Sequence, residues 1–230
     1  MISHKNKYIF THVPRTAGTS IEYALRENSD PVPMCNKDPE DLSTYLYTQH
    51  VNINKIFRFS KELNVDIEDY YKFTFVRNPW ERLLSYYYYN HLSNEVPVKG
   101  EPELSFVDYC MRGADSPALS AKRVAVVENL YCRPPGYKTQ EILVDYVGRY
   151  ETLQQDFDHV CTRLGLSKIN LTRQRSTGDQ STCPWHVERG VPVISRTTPV
   201  KDHYTPELVE YLQPYFAVEI NKLGYPSEPT

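Results

Sequence analysis

Two arginines, a run of hydroxyls and one histidine are the residues whose types and spacing could do chemistry in this chain. Arg15-Thr16-Ala17-Gly18-Thr19-Ser20 places a guanidinium, three hydroxyls and a glycine within six residues. That composition suits an anion: Arg offers a fixed positive fork, the hydroxyls donate, and glycine admits close approach of backbone to ligand. Arg77, with Ser85 eight residues beyond it, repeats the pairing of guanidinium and hydroxyl, again suited to a phosphate held bidentately. His50 carries a group that titrates near neutral pH and can accept a proton; His12, His186 and His203 are rivals for that role. A plainer reading gives Thr16, Thr19 and Ser20 to helix capping, Arg77 to a structural ion pair, Ser85 to helix surface and His50 to a cap.

The elements around these residues favour the chemical reading. Tyr8-Ile9-Phe10 is a short apolar run fit for a buried strand, broken at Val13-Pro14. From Ser20 onward Ile21, Ala24 and Leu25 recur at helical spacing. A strand, a tight loop and a helix N-terminus together make an anion site, because the first helical N–H groups lack internal partners and the helix dipole favours negative charge there. Phe73-Thr74-Phe75-Val76 reads as a central parallel strand ending at Arg77. Asn78 then caps a helix with Pro79 in its first position and Glu81 three residues after the cap. Trp80, Leu83, Leu84 and Tyr87 can cover a sheet, Arg82 belongs on the polar helix face, and the Tyr86–Tyr89 run points all round. Tyr45-Leu46-Tyr47-Thr48 is a candidate second strand that delivers His50 to its carboxyl end, where ligands of open α/β sheets collect.

Further along, helices are expected over Ile53–Leu63, Phe106–Met111, Ala118–Leu130, Thr152–Leu164 and Pro206–Leu223, and a strand over Glu141–Val147. Residues 28–41 and 96–102, the turn at 131–136, and the polar stretch 167–199 read as loops, the last of a length often functional. The chain has 230 residues, enough for one α/β domain, with no break in composition. Its 26 Lys and Arg against 29 Asp and Glu argue against a nucleic-acid binder, so an anion site must be local. Cys35, Cys110, Cys132, Cys161 and Cys183 are scattered without a C-x-x-C pair, which fits reduced thiols in a cytoplasmic protein and neither a disulfide frame nor a zinc site. No stretch approaches the roughly 18 apolar residues a membrane span needs, and the first ten residues lack a signal-peptide core.

The loop differs from the G-x-x-x-x-G-K-[ST] pattern of nucleoside triphosphatases: no Gly-Lys pair precedes Thr19 or Ser20. It resembles instead the 5′-phosphosulfate loop of sulfotransferases that use 3′-phosphoadenosine 5′-phosphosulfate (PAPS), where a strand enters Val-Pro-Lys/Arg-Thr-small-small-Thr-Ser and then a helix. Val76-Arg77-Asn78-Pro79-Trp80-Glu81-Arg82-Leu83 with Ser85 resembles the 3′-phosphate motif of the same family. Val147-Gly148-Arg149-Tyr150-Glu151, and the helix that ends in Leu164-Gly165-Leu166, are similar to its carbohydrate-type, heparan/chondroitin branch. The chain's closing segment resembles the family's too, with Glu219 where Asp is usual. Tyr131-Cys132-Arg133-Pro134-Pro135 lacks the His and Gln of that branch's His-x-Arg-Pro-Gln segment.

The resemblance implies a single P-loop-like, doubly wound α/β domain over residues 1–230, with a central parallel sheet flanked by helices. It implies sulfuryl transfer from PAPS as co-substrate to a hydroxyl of a glycan or small metabolite, releasing adenosine 3′,5′-bisphosphate without a metal. Arg15 and the loop residues Thr16, Ala17, Gly18, Thr19 and Ser20 would hold the 5′-phosphate, Arg77 and Ser85 the 3′-phosphate, and His50, like the strand-end histidine of heparan-sulfate-type relatives, would be the base. Two other readings stay open: a small-molecule kinase of the same architecture, and a nucleotide-binding module without turnover.

Overall fold

A computed structural model describes residues 1–28, 50–93, 105–112, 131–132, 141–172 and 198–230. In chain order the elements are β1 (Ile2–Ser3), β2 (Tyr8–Thr11), α1 (Gly18–Leu25), α2 (Ile53–Glu62), β3 (Tyr71–Val76), α3 (Pro79–Ser93), α4 (Phe106–Arg112), β4 (Tyr146–Arg149), α5 (Leu153–Arg163), α6 (Pro206–Leu212) and α7 (Ala217–Asn221). They fall into two units, Met1–Arg77 with Val127–Gln174 and Asn78–Val126 with Arg175–Thr230. The expected strand at Tyr45–Thr48, the helix at Ala118–Leu130, most of the loop over 167–199, and Cys35, Cys183 and His186 lie outside the described residues.

The first unit holds a four-stranded sheet of order β1-β2-β3-β4. β1 pairs antiparallel with β2, while β2, β3 and β4 run parallel. Alternation along β2 assigns the two faces. Tyr8 and Phe10 join Phe73, Phe75, α1 (Ile21, Leu25) and α5 (Phe157, Val160), whereas Ile9 joins Ile2 and α2 (Ile53, Ile56, Phe59). Helices thus cover both faces of a mostly parallel sheet, as expected for a doubly wound α/β fold. The interior strands are buried on both sides, and the polar side chains this encloses on β3 are satisfied by backbone carbonyls: Lys72 Nζ donates to Tyr70 O and Thr74 Oγ1 to Thr11 O.

Local chemistry fixes the ends of these elements. Asn52 caps α2 through its side-chain oxygen, which accepts from the Asn54 N–H at 2.8 Å. α5 closes on Gly165 at φ 67, with Gly165 N–H donating to Thr162 O and Leu166 N–H to Cys161 O, the paired bonds of a Schellman cap. The strand expected at Glu141–Val147 is instead Tyr146–Arg149. Asp145 ends the approach: its carboxylate accepts the Lys72 N–H at 2.7 Å and its own N–H donates to Lys72 O, so pairing with β3 starts one residue later. Gly148 lies against the Phe75 ring, and a Cβ there would come within 2.6 Å of the ring's Cε1.

In the second unit, Asn78 Oδ1 accepts from the Trp80 N–H at 3.0 Å, capping α3 with Pro79 in the first helical position. Trp80, Leu83, Leu84 and Tyr87 close a core with Phe106, Tyr109 and Cys110 of α4 and with Tyr204, Leu208, Leu212 and Phe216. The face that the sequence suggested for a sheet is thus buried among helices. Arg82, expected on the polar face, is 1 % exposed, its Nη2 at 3.4 Å from Oε1 of Glu219, itself fully buried. Burial raises the Glu219 pKa and Arg82 opposes the rise. The single helix expected over Pro206–Leu223 is broken into α6, a 3-10 turn at Gln213–Phe216, and α7. Pro214 explains the break, since it has no N–H and its ring clashes with the carbonyl four residues back.

Candidate active site

The parallel strands β2, β3 and β4 bring their carboxyl ends to one edge of the first unit, and the sequence-identified residues of that unit gather there. β2 leaves the sheet into Val13-Pro14-Arg15-Thr16-Ala17 and enters α1 at Gly18. Arg15 and Ala17 both adopt left-handed backbone, at φ 67 and 65, an uncommon conformation outside glycine that clusters at functional sites. Left-handed residues alternating with others turn successive N–H groups toward one concavity, the geometry of an anion nest. Thr16 is fully buried and its hydroxyl donates to Val13 O at 2.8 Å, closing the turn from inside. Its proton is thereby committed to the loop itself.

Ala17 stands at the N-cap of α1 without a side chain able to cap, and no acidic residue occupies the first turn. The Ala17 carbonyl accepts from Ser20 and Ile21. Neither a side-chain cap nor an acidic residue of the first turn thus offsets the positive end of the α1 dipole. Gly18 has a use that its sequence position did not disclose. A Cβ there would collide with the His12 ring, whose Cδ2 and Nε2 edge lies against it.

His12 is buried at the end of β2. Its Nδ1 lies 2.9 Å from Oε1 of Glu22, and since a carboxylate only accepts, Nδ1 carries the proton. Phe10 stacks on the same ring at 5.8 Å. His50 lies beside it, the two ring centroids 4.4 Å apart. His50 has φ 63, and its Nδ1 is 2.7 Å from the backbone O of His12. A carbonyl cannot donate, so Nδ1 of His50 is the protonated nitrogen and Nε2 carries the lone pair. Although part of the residue faces solvent, protein around its ring lowers the pKa from 6.5 to about 4, burial first and His12 next, with the His12 carbonyl bond and Glu22 opposing. His50 is a neutral imidazole at physiological pH.

Arg77 ends β3. The register pairs Val76 with Arg149, so Arg77 and Tyr150 are the next residues of neighbouring strands, and the Arg77 guanidinium carbon sits 4.2 Å over the Tyr150 ring centroid. The ring face restricts that guanidinium to one plane. Ser85 lies two turns into α3, in the second unit, and is 9 % exposed. His203, also in the second unit, has its Nε2 3.3 Å from the Tyr88 hydroxyl.

The structure thus brings Arg15, Thr16, Ala17, Gly18, Thr19, Ser20, His50 and Arg77 to one sheet edge. Glu22 and Tyr150 belong to the same edge; Glu22 was not singled out from sequence, and Tyr150 only within the Val147–Glu151 motif. Glu22 follows Gly18 by one helical turn, so the two share a face of α1; a lone carboxylate facing the core side of that helix was the available signal.

This chain is similar to the crystal structure of a sulfotransferase from Alicyclobacillus acidocaldarius, at 16% identity over 93% of this chain and 92% of that one, with a TM-score of 0.41. No curated protein sequence matches it. A model described as the sulfotransferase family matches residues 1–226. With that match running from its first residue to within four of its last, the chain belongs to the sulfotransferase family.

Proposed function

We propose that the chain transfers the sulfuryl group of PAPS to a hydroxyl of an acceptor, releasing adenosine 3′,5′-bisphosphate. The observation that carries this reading is the pairing of an uncapped α1 behind a left-handed loop with a neutral imidazole at the same sheet edge whose Nε2 is free of the tautomer-fixing bond. The 5′-phosphate sits on the loop N–H groups, Arg15, Thr19 and Ser20, with Thr16 bracing the turn. Arg77, and by its eight-residue separation Ser85, take the 3′-phosphate. His50 Nε2 removes the acceptor proton as the acceptor oxygen attacks sulfur, and the bond from sulfur to the bridging phosphate oxygen breaks. Negative charge gathering on that oxygen is stabilised by Arg15 and the helix terminus. Arg15 serves as a fixed charge and does not give up a proton.

The Val147–Glu151 likeness to the carbohydrate-type branch supports a glycan hydroxyl as acceptor, with a small hydroxylated metabolite as the alternative. We read residues 1–230 as one functional domain, acting in the cytoplasm; the cysteines Cys110, Cys132 and Cys161 are buried. No helix among the described residues is long and apolar enough to cross a membrane.

Thermal stabilisation by adenosine 3′,5′-bisphosphate, compared with ATP and Mg²⁺ and with adenosine 5′-phosphate, tests the donor. Ligand at about 100 times its Kd adds roughly 2.7 kcal/mol, several degrees in a chain of this size. Stabilisation only by the 3′-phosphorylated nucleotide, weakened about 10-fold or more in Kd by Arg77→Ala through loss of a charge-assisted contact, supports the reading. Stabilisation only by ATP points to a kinase, and binding without transfer to any hydroxyl points to a silent module.

A further inference from the structure

We propose that Glu22 and His12 are a positioning pair for the His50 base, tying the base to the same helix that forms the phosphate loop. The inference rests on the reading of His50 as base. His12 meets His50 twice: its carbonyl accepts the hydrogen bond of His50 Nδ1–H at 2.7 Å, and its ring lies 4.4 Å from the His50 ring, centroid to centroid. Three contacts fix His12 in turn. Glu22 holds Nδ1 at 2.9 Å, Phe10 stacks at 5.8 Å, and Gly18 opens the slot for the Nε2 edge. Gly18 and Glu22 lie four residues apart on one face of α1, so that helix grips the His12 ring at both ends of a single turn.

The chemistry of this grip goes beyond packing. The His12 and Glu22 side chains are only 6 % and 11 % exposed, and withdrawing a carboxylate from water is costly unless it is paired. An apolar pair would fill the same space without that cost. The carboxylate sets which His12 nitrogen is protonated and holds the ring plane, and His50 is held in its left-handed conformation against that plane. Donor phosphate on the N-terminus of α1 and base beside His12 are thereby set at a fixed separation by one rigid element, the condition for an in-line reaction.

A double-mutant cycle on kcat tests this. Glu22→Gln keeps the shape and removes the charge; we expect kcat to fall on the order of 10-fold or more, with Kd for adenosine 3′,5′-bisphosphate unchanged. Introduced into His50→Ala, the same substitution should have almost no further effect, because a residue acting through the base has nothing left to act on. An unchanged kcat in Glu22→Gln, or an equal loss in both backgrounds, overturns the proposal. If Glu22→Gln does not fold, Glu22→Asp, which keeps the charge one methylene short, carries the same cycle with the same outcomes. His50→Ala alone separates the two ideas: full turnover there sinks the base reading, whereas a loss there beside an intact Glu22→Gln sinks only the positioning pair.

Discussion

Titration of the His50 imidazole in the ligand-free protein probes the site without any assumption about the acceptor. The groups that face it are Met1's ammonium, His12 and Glu22; burial and the first two lower its proton affinity, and Glu22 and the His12 carbonyl raise it. The net effect is a pKa of about 4 in place of 6.5. At pH 5.5 an ordinary imidazole is about 90 % protonated, whereas one at about 4 is about 3 % protonated. Histidine carbon and nitrogen NMR shifts between pH 5 and 8, assigned with His50→Ala, should show His50 staying neutral over the whole range, with Nδ1 as its protonated nitrogen. The sign for stability follows. The folded pKa lies below the unfolded one, so the unfolded chain takes up the extra proton between about 6.5 and about 4. The His50 contribution is complete above pH 6.5 and is lost as pH falls through that window. A midpoint near 6.5 would refute the argument from burial and neighbours. A proton on Nε2 would refute the bond to the His12 carbonyl and, with it, the direction in which the base points.

Two further expectations concern the frame. Glu219→Leu removes the counter-charge of buried Arg82, and chemical denaturation should show a loss of about 3–5 kcal/mol, with most of it recovered when Arg82→Met is added; a change under 1 kcal/mol would mean the pair is solvated. Gly148→Ala forces a methyl against the Phe75 ring and should cost about 1–3 kcal/mol in the same assay, a neutral result showing that β3 and β4 can part without strain.

How much of this was readable depended on the range of the interaction. Tyr8–Phe10, Phe73–Val76 and the Asn78-Pro79 start of α3 were legible because each is decided within a few residues by apolar runs and capping chemistry. The entry of the loop from Arg15 to Ser20 into a helix was legible for the same reason. Arg82 was misplaced because its counter-charge lies 137 residues away, and nothing in the helix period announces a buried guanidinium. Ile142-Leu143-Val144 has strand composition, but a strand also needs a partner, and Asp145 sets where β3 accepts one. Pro214 was visible and should have ended the last helix. Tyr150 becomes a functional candidate only through the β3–β4 register that sets it beside Arg77, and Glu22 only through the packing of α1 against His12.

One physical feature unites the site. Arg15, Ala17 and His50 are non-glycine residues in left-handed backbone at one sheet edge, while the remaining two in the described chain, Lys7 and Asn64, sit in turns. Each such residue costs on the order of 1–3 kcal/mol unless its surroundings over-determine it. Here they do: Thr16 ties the loop to Val13, the Ala17 carbonyl accepts twice, and His50 is fixed by the His12 carbonyl. Glycine at positions 15 and 17 would remove the strain but also the guanidinium, and would let the loop N–H groups wander. A strained loop already closed before the donor arrives loses little entropy on binding and presents its donors without reorganisation. Arg15 and Ala17 in left-handed backbone, where glycine would sit more cheaply, are therefore what the proposed preorganised anion site requires.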